Sequence, residues 1–92
     1  MRLDLFLKAS RIVVRRSVAR QLCDAGAIRV NGIVAKASKE LKVGDEIEIM
    51  RGPRYTVYCV NELPTSKQVS RSDATLLVEV ISDVKEQERL LP

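Results

Sequence analysis

Arg11-Ile12-Val13-Val14-Arg15-Arg16-Ser17-Val18-Ala19-Arg20-Gln21-Leu22-Cys23-Asp24-Ala25-Gly26-Ala27-Ile28-Arg29-Val30-Asn31-Gly32 reads as an arginine-loaded loop, a short helix, a glycine stop and a tight hairpin. Ser17 is placed to cap the helix, because its hydroxyl can accept from a backbone amide that has no partner in the first turn. Gly26 suits the left-handed position that ends it. Between them Val18, Ala19, Leu22 and Cys23 share one face at helical spacing, while Arg20, Gln21 and Asp24 point elsewhere. Asn31-Gly32 then supplies the two residues that best tolerate the positive φ of a type I′ turn. The arginines are carried on a compact, well-punctuated scaffold, as a binding surface requires.

Upstream of this stretch, Arg2 to about Ala9 reads as another short helix. Leu3, Phe6 and Leu7 fall on one face, with Asp4 and Lys8 on the other. It is too short to be stable alone and is expected to pack on the Val18/Leu22 face of the second helix. The β-branched run Ile12-Val13-Val14 could extend the first helix or lie as a buried loop.

Downstream, pairing across Asn31-Gly32 sets Val30 opposite Ile33 and Ile28 opposite Ala35, so these four are expected on one face. Arg29, Val34 and Lys36 fall on the other, which should be basic. Residues 37–42 form a polar connection, and Val43-Gly44-Asp45 reads as a turn. Ile47 and Ile49 alternate with Glu46 and Glu48, the pattern of a half-buried strand. Gly52-Pro53 breaks it before a further strand from Tyr55 to Val60. The expected fold is α+β, with two short N-terminal helices packed on a small, mostly antiparallel sheet.

Pro64 to Ser72 reads as a polar linker. After it, Asp73 can cap a helix with Ala74, Leu77, Val78, Ile81 and Val84 on one face. The run Leu76 to Ile81 is strand-like in composition, but apolar positions continue past ten residues, so a C-terminal helix is expected. The last residues, 85–92, are expected to fray. The chain thus divides into a domain over 1–63, whose motifs lie in 1–50, and a linker with its tail over 64–92.

Charge is unevenly spread. The net +4 resolves into 12 Lys/Arg against 6 Asp/Glu in residues 1–54, and 4 against 6 in residues 55–92. Cationic charge therefore sits with the structured motifs, which favours a polyanionic partner. The aromatics are Phe6, Tyr55 and Tyr58, so the core is aliphatic and base stacking is not the main binding device. Cys23 and Cys59 are isolated and there is no His, too few soft ligands for zinc and too few cysteines for a disulfide framework. Both read as reduced core thiols. Met1-Arg2-Leu3-Asp4 puts charges where a signal peptide needs an apolar run, and no segment has membrane-spanning length. A cytoplasmic protein with no membrane partner is expected.

Catalysis would need a base, a nucleophile or a metal gathered in a pocket. With no His, two lone Cys and no phosphate-cradling glycine loop, none can be assembled, so no catalytic residue, metal or cofactor is expected. A helix-turn-helix reading, and with it a DNA target, is disfavoured by the hairpin fused directly after the second helix. A protein-interaction module using the apolar tail is the remaining rival.

Met1-Arg2-Leu3-Asp4, Phe6-Leu7, Ser10-Arg11, Arg15-Arg16-Ser17 and Ala19 are followed by Gly26, Val30-Asn31-Gly32, Lys36, Ser38 and Val43-Gly44-Asp45. This order and spacing resembles the RNA-binding domain first described in the fourth small-subunit ribosomal protein, over roughly residues 1–50. With Val60-Asn61-Glu62-Leu63 and a short tail after it, the layout is similar to the stand-alone RqcP-type proteins, and to the ribosome-associated fifteen-kilodalton heat-shock protein. The resemblance implies an RNA-binding ribosome-associated quality-control factor. Its partners would be large-subunit rRNA, peptidyl-tRNA on an obstructed subunit, and an RqcH-like factor that tails the stalled chain with alanine. A monomer off the ribosome is expected. It places RNA contacts on Arg2, Arg11, Arg15, Arg16, Arg20 and Lys36. Val14 departs from it, standing where relatives often carry a basic residue. The alternative within the same resemblance is a general rRNA-binding or heat-shock ribosome-recycling protein.

Overall fold

Gly26 ends the second helix in the left-handed conformation, with φ +73°, as its position after Ala25 requires. Its amide donates to the Cys23 carbonyl and the Ala27 amide to that of Leu22, the paired bonds that close a helix C-terminus. A computed structural model describes residues 1–64, 74 and 76–85, with backbone alone for 82–85. Helix α1 spans Leu3–Ala9 and α2 spans Arg16–Asp24. Five strands follow: β1 Ile28–Val30, β2 Ile33–Val34, β3 Glu46–Arg51, β4 Arg54–Val60 and β5 Val78–Lys85. They form one antiparallel sheet in the order β2-β1-β3-β4-β5.

One core joins the helices to the sheet. Leu3, Phe6 and Leu7 from α1, Ala19 and Cys23 from α2, and Ile28, Val30, Ile47, Ile49 and Val60 from the strands are all buried in it. Val18 and Leu22 pack against it, half-buried, as the spacing in α2 requires. Ile12–Val14 does not extend α1. Val13 is buried in the connecting loop, while Val14 is 83% exposed.

The hairpin turns as expected, with φ +53° at Asn31 and +84° at Gly32. Asn31 also does what composition does not reveal. Its side chain donates to Asp45 Oδ1 at 3.1 Å and accepts from the Glu46 amide at 3.0 Å, clamping the hairpin tip to the start of β3.

Four local expectations are corrected. Ser17 does not cap α2: the helix starts one residue earlier, with Arg15 in the capping position and no side-chain cap bond. Ile33 is 73% exposed rather than on the core face, because β2 is a two-residue edge strand whose tip overhangs the core. The face opposite the helices is not simply basic, since Arg29 pairs across strands with Glu48. Cys59 is only half-buried, because it alternates outward from Val60 on β4; Cys23 is buried.

A fifth correction is larger. Val78–Lys85 is a strand, not a helix. It pairs along the whole of β4, from Val60 opposite Val78 to Arg54 opposite Lys85, with Ile81 as the extra residue of a bulge. Main-chain bonding to β4 satisfies amides and carbonyls that would otherwise face solvent at a sheet edge, and the β-branched Val78, Val80, Ile81 and Val84 suit it. Ahead of it Leu77 is buried, and its carbonyl accepts from the Asn61 amide at 2.8 Å. The Asp73 cap, the linker beyond Pro64 and the end after Lys85 lie outside the described residues.

Candidate nucleic-acid interface

Helix α1 begins without a side-chain cap. Its first amides are taken by the chain that follows the hairpin: Leu3 donates to the Lys39 carbonyl at 2.8 Å and Asp4 to that of Ala37 at 3.1 Å. This crossing satisfies donors that a short helix leaves open. It also carries Lys36 and Ser38 to the start of α1. As a result Arg2, Arg20 and Lys36, far apart in sequence, line one shallow groove together with Cys23, Asp24, Ala37 and Ser38.

Asp4 lies beneath this surface. Helical spacing sets it opposite Leu3, Phe6 and Leu7, yet it is fully buried. Its carboxylate accepts from Arg16 Nε at 3.0 Å, from Arg2 Nε at 3.3 Å and from the Leu5 amide at 2.9 Å. Burial by itself pushes the Asp4 carboxyl up. The Arg16 hydrogen bond, the Leu5 amide and the charges of Arg16 and Arg2 outweigh it and hold the group below its usual value. Asp4 is therefore an anion that two arginines enclose.

Those arginines stay partly in water, with side chains 41% exposed at Arg2 and 43% at Arg16. A guanidinium has five N–H donors, and Arg16 spends one on Asp4. The rest of each fork is oriented by its carboxylate and open to an outside oxygen, the arrangement that suits bidentate phosphate recognition. A cation on the first residue of α2 opposes the helix dipole. Here Asp4 compensates that charge from within the protein.

Arg11 and Arg15 flank the interhelical loop and are exposed. Arg11 takes the position after the α1 cap that Gly26 takes after α2, but with a side chain: its φ is +62°. A left-handed non-glycine residue costs roughly 1–2 kcal/mol, and such strain concentrates where a side chain must be aimed. Neighbouring bonds hold it there, with the Arg11 amide on the Lys8 carbonyl and the Val13 amide on that of Leu7.

The six expected contacts thus fall into a groove set, Arg2, Arg20 and Lys36, an Asp4-anchored set, Arg2 and Arg16, and a loop set, Arg11 and Arg15. Asp4 is the residue that helical periodicity misplaced. Its signal was its position between Arg2 and the Arg15-Arg16 pair, which spacing alone does not decode. Burial, with the charges of Asp4 and Asp24, pushes the Cys23 thiol up to about 11, so it stays protonated at neutral pH. Among the described residues no three metal-ligating side chains gather, and no helix is long and apolar enough to cross a membrane.

The S4 domain family matches residues 1–47, the segment that builds both helices, the hairpin and the groove. Over 90 residues the chain is 43% identical to the RQC P-site tRNA stabilizing factor of Streptococcus pneumoniae, covering 98% of this chain and all of that one. The chain belongs to this S4-domain family. The factor of the same name from Bacillus subtilis is 43% identical over 86% of this chain and 94% of its own. Heat shock protein 15 of Vibrio cholerae, described as trimeric, superposes with a TM-score of 0.79 at 27% identity, over 89% of this chain and 82% of that one. The α+β architecture of two helices on an antiparallel sheet is shared with it. Arg2, Arg11, Arg15, Arg16, Arg20 and Lys36 all lie in the matched segment.

Proposed function

We propose that this protein binds the large ribosomal subunit obstructed by peptidyl-tRNA, contacting rRNA and tRNA, and supports alanine tailing of the stalled chain by an RqcH-like factor. It acts in the cytoplasm, as a monomer off the ribosome, and as a binding protein rather than an enzyme. The observation that carries this reading is the buried Asp4 carboxylate aiming Arg2 and Arg16 outward beside a groove that also holds Arg20 and Lys36. Structured RNA is read largely through phosphate, shape and 2′-hydroxyl contacts, which such a surface supplies without aromatic stacking. Relatives over the full length are named for stabilizing P-site tRNA in ribosome quality control, and this supports tRNA as one of the two RNAs.

The test is sedimentation of the purified protein with large subunits that carry peptidyl-tRNA, with empty large subunits and with small subunits. Preferential pelleting with the obstructed subunits is expected, weakened by Arg20→Ala and Lys36→Ala. Equal binding to empty subunits would favour general rRNA binding or recycling, and binding to small subunits alone would overturn the reading. Adding a purified RqcH-like factor and alanyl-tRNA then tests tailing, which should require this protein.

A further inference from the structure

Arg20 and Asp24 stand four residues apart on α2, a spacing that puts Cβ atoms about 5–6 Å from each other. Both line the groove that holds Arg2 and Lys36. They do not pair. Asp24 forms no ion pair with any of the three cations, and its carboxylate accepts no hydrogen bond among the described residues. Arg20 and Lys36 likewise have no acidic partner there, and all three residues are exposed. Ser38 lines the groove too, with a neutral hydroxyl.

Asp24 suits its surroundings poorly on two counts. It is the last residue of α2, where a negative charge adds to the negative end of the helix dipole. It also sets an anion among cations, so it repels any phosphate that they attract. A groove that held phosphate alone would hold it more tightly without Asp24. The carboxylate gains a purpose if the ligand carries a hydrogen-bond donor beside its phosphate. Ribose does so: the 2′-hydroxyl and the 3′-phosphate sit on adjacent carbons, close together as Arg20 and Asp24 are. DNA keeps the phosphate and lacks the hydroxyl. A base edge lies across the sugar from its phosphate and matches that spacing less well.

We infer that Asp24 accepts a hydrogen bond from a ribose 2′-hydroxyl whose neighbouring phosphate is held by Arg20 and Lys36, so that this groove selects RNA over DNA. The cations supply attraction that either nucleic acid would feel, and the unpaired carboxylate supplies the discrimination. The inference rests on the RNA-binding reading above and names the feature of the ligand that the groove reads.

The experiment uses the full chain and three probes of one sequence: a tRNA transcript, its 2′-fluoro counterpart, which keeps RNA geometry without the hydroxyl donor, and the DNA version. The wild type should bind the tRNA more tightly than either of the others. Asp24→Ala should weaken tRNA binding by about three- to tenfold, the scale of one net hydrogen bond. Its binding to the 2′-fluoro and DNA probes should stay level or tighten, because an anion has left a cationic groove. Asp24→Asn, of the same size, should shift the preference in the same direction. Glu62→Ala removes an equal charge at an exposed position that does not line the groove, and should leave the preference unchanged. Asp24→Ala should also melt at the wild-type temperature or above, since it relieves the helix dipole. The inference is overturned if the wild type shows no preference, or if Asp24→Ala raises affinity for all three probes together. An equal loss on all three overturns it too, and would point to a base edge instead. Arg20→Ala keeps the two readings apart, because it should weaken binding to every probe. If it does so while Asp24→Ala leaves the preference intact, this inference alone falls; if it changes nothing, the RNA-binding groove falls with it.

Discussion

Arg16 Nε lies 3.0 Å from Oδ2 of Asp4, so the first residue of α2 is tied to the first turn of α1 through a carboxylate that no solvent reaches. A charge buried this way is stabilising only while its partners remain, because an uncompensated buried ion is costly. The contact is at once a fold-closing pair and the support for an exposed guanidinium.

Asp4→Asn should therefore act against simple charge counting. It raises the net charge by one, which alone would favour RNA. It also removes the anion that orients Arg2 and Arg16, so weaker binding to structured rRNA is expected. Stability should fall by about 1.5–3 kcal/mol, the scale of hydrogen bonds to charged groups. Thermal melts and RNA titrations on the one variant check both, and tighter RNA binding by a folded Asp4→Asn protein would refute the orienting role.

Acid should loosen the same contact. The folded state lowers the Asp4 pKa, so its stabilisation is complete above the unfolded-chain value of about 3.9 and is lost as pH falls through the lower folded value. Melting temperature followed from about pH 6 down to pH 2 should drop more steeply in the wild type than in Asp4→Asn. Parallel profiles would show that other carboxylates carry the acid sensitivity.

Cys23 should be inert in the folded protein. Its thiol is buried and pushed up to about 11, so alkylation at neutral pH should wait on unfolding. Cys23→Ala should cost about 1–2 kcal/mol as a small core truncation. It should leave the salt slope of RNA binding intact, although the residue lies under the groove. Labelling of Cys23 faster than global opening, read by mass spectrometry with denaturant, would contradict this.

Asn31 separates backbone from side-chain effects. Asn31→Gly keeps the positive φ but loses the bonds to Asp45 and Glu46, at about 1 kcal/mol. Asn31→Ala loses the same bonds and adds left-handed strain of roughly 1–2 kcal/mol. Chemical denaturation should rank wild type above Asn31→Gly above Asn31→Ala; equal values for the two variants would mean the turn does not enforce its φ.

Much of the architecture was legible in the chain because it rests on neighbours in sequence. The Gly26 stop, the Asn31-Gly32 turn, the Leu3/Phe6/Leu7 stripe and the alternation through Ile47 and Ile49 follow from φ preferences and from periods of 3.6 and 2. The cations proposed as the RNA surface, Arg2 through Lys36, are named from the family resemblance, and the fold brings Arg2, Arg20 and Lys36 to one groove. Tertiary structure alone decided what depended on distant segments. Asp4 turned inward because Arg16 arrived to neutralise it. Lys36 came to Arg2 because the connection after the hairpin supplies carbonyls to the open amides of α1. Residues 78–85 became a strand because β4 offered an unpaired edge, an outcome to which their own helical periodicity was blind. Local propensity is worth tenths of a kcal/mol per residue, whereas a buried charge or an unpaired backbone group costs about one to several, and where the two compete the longer-range term prevails.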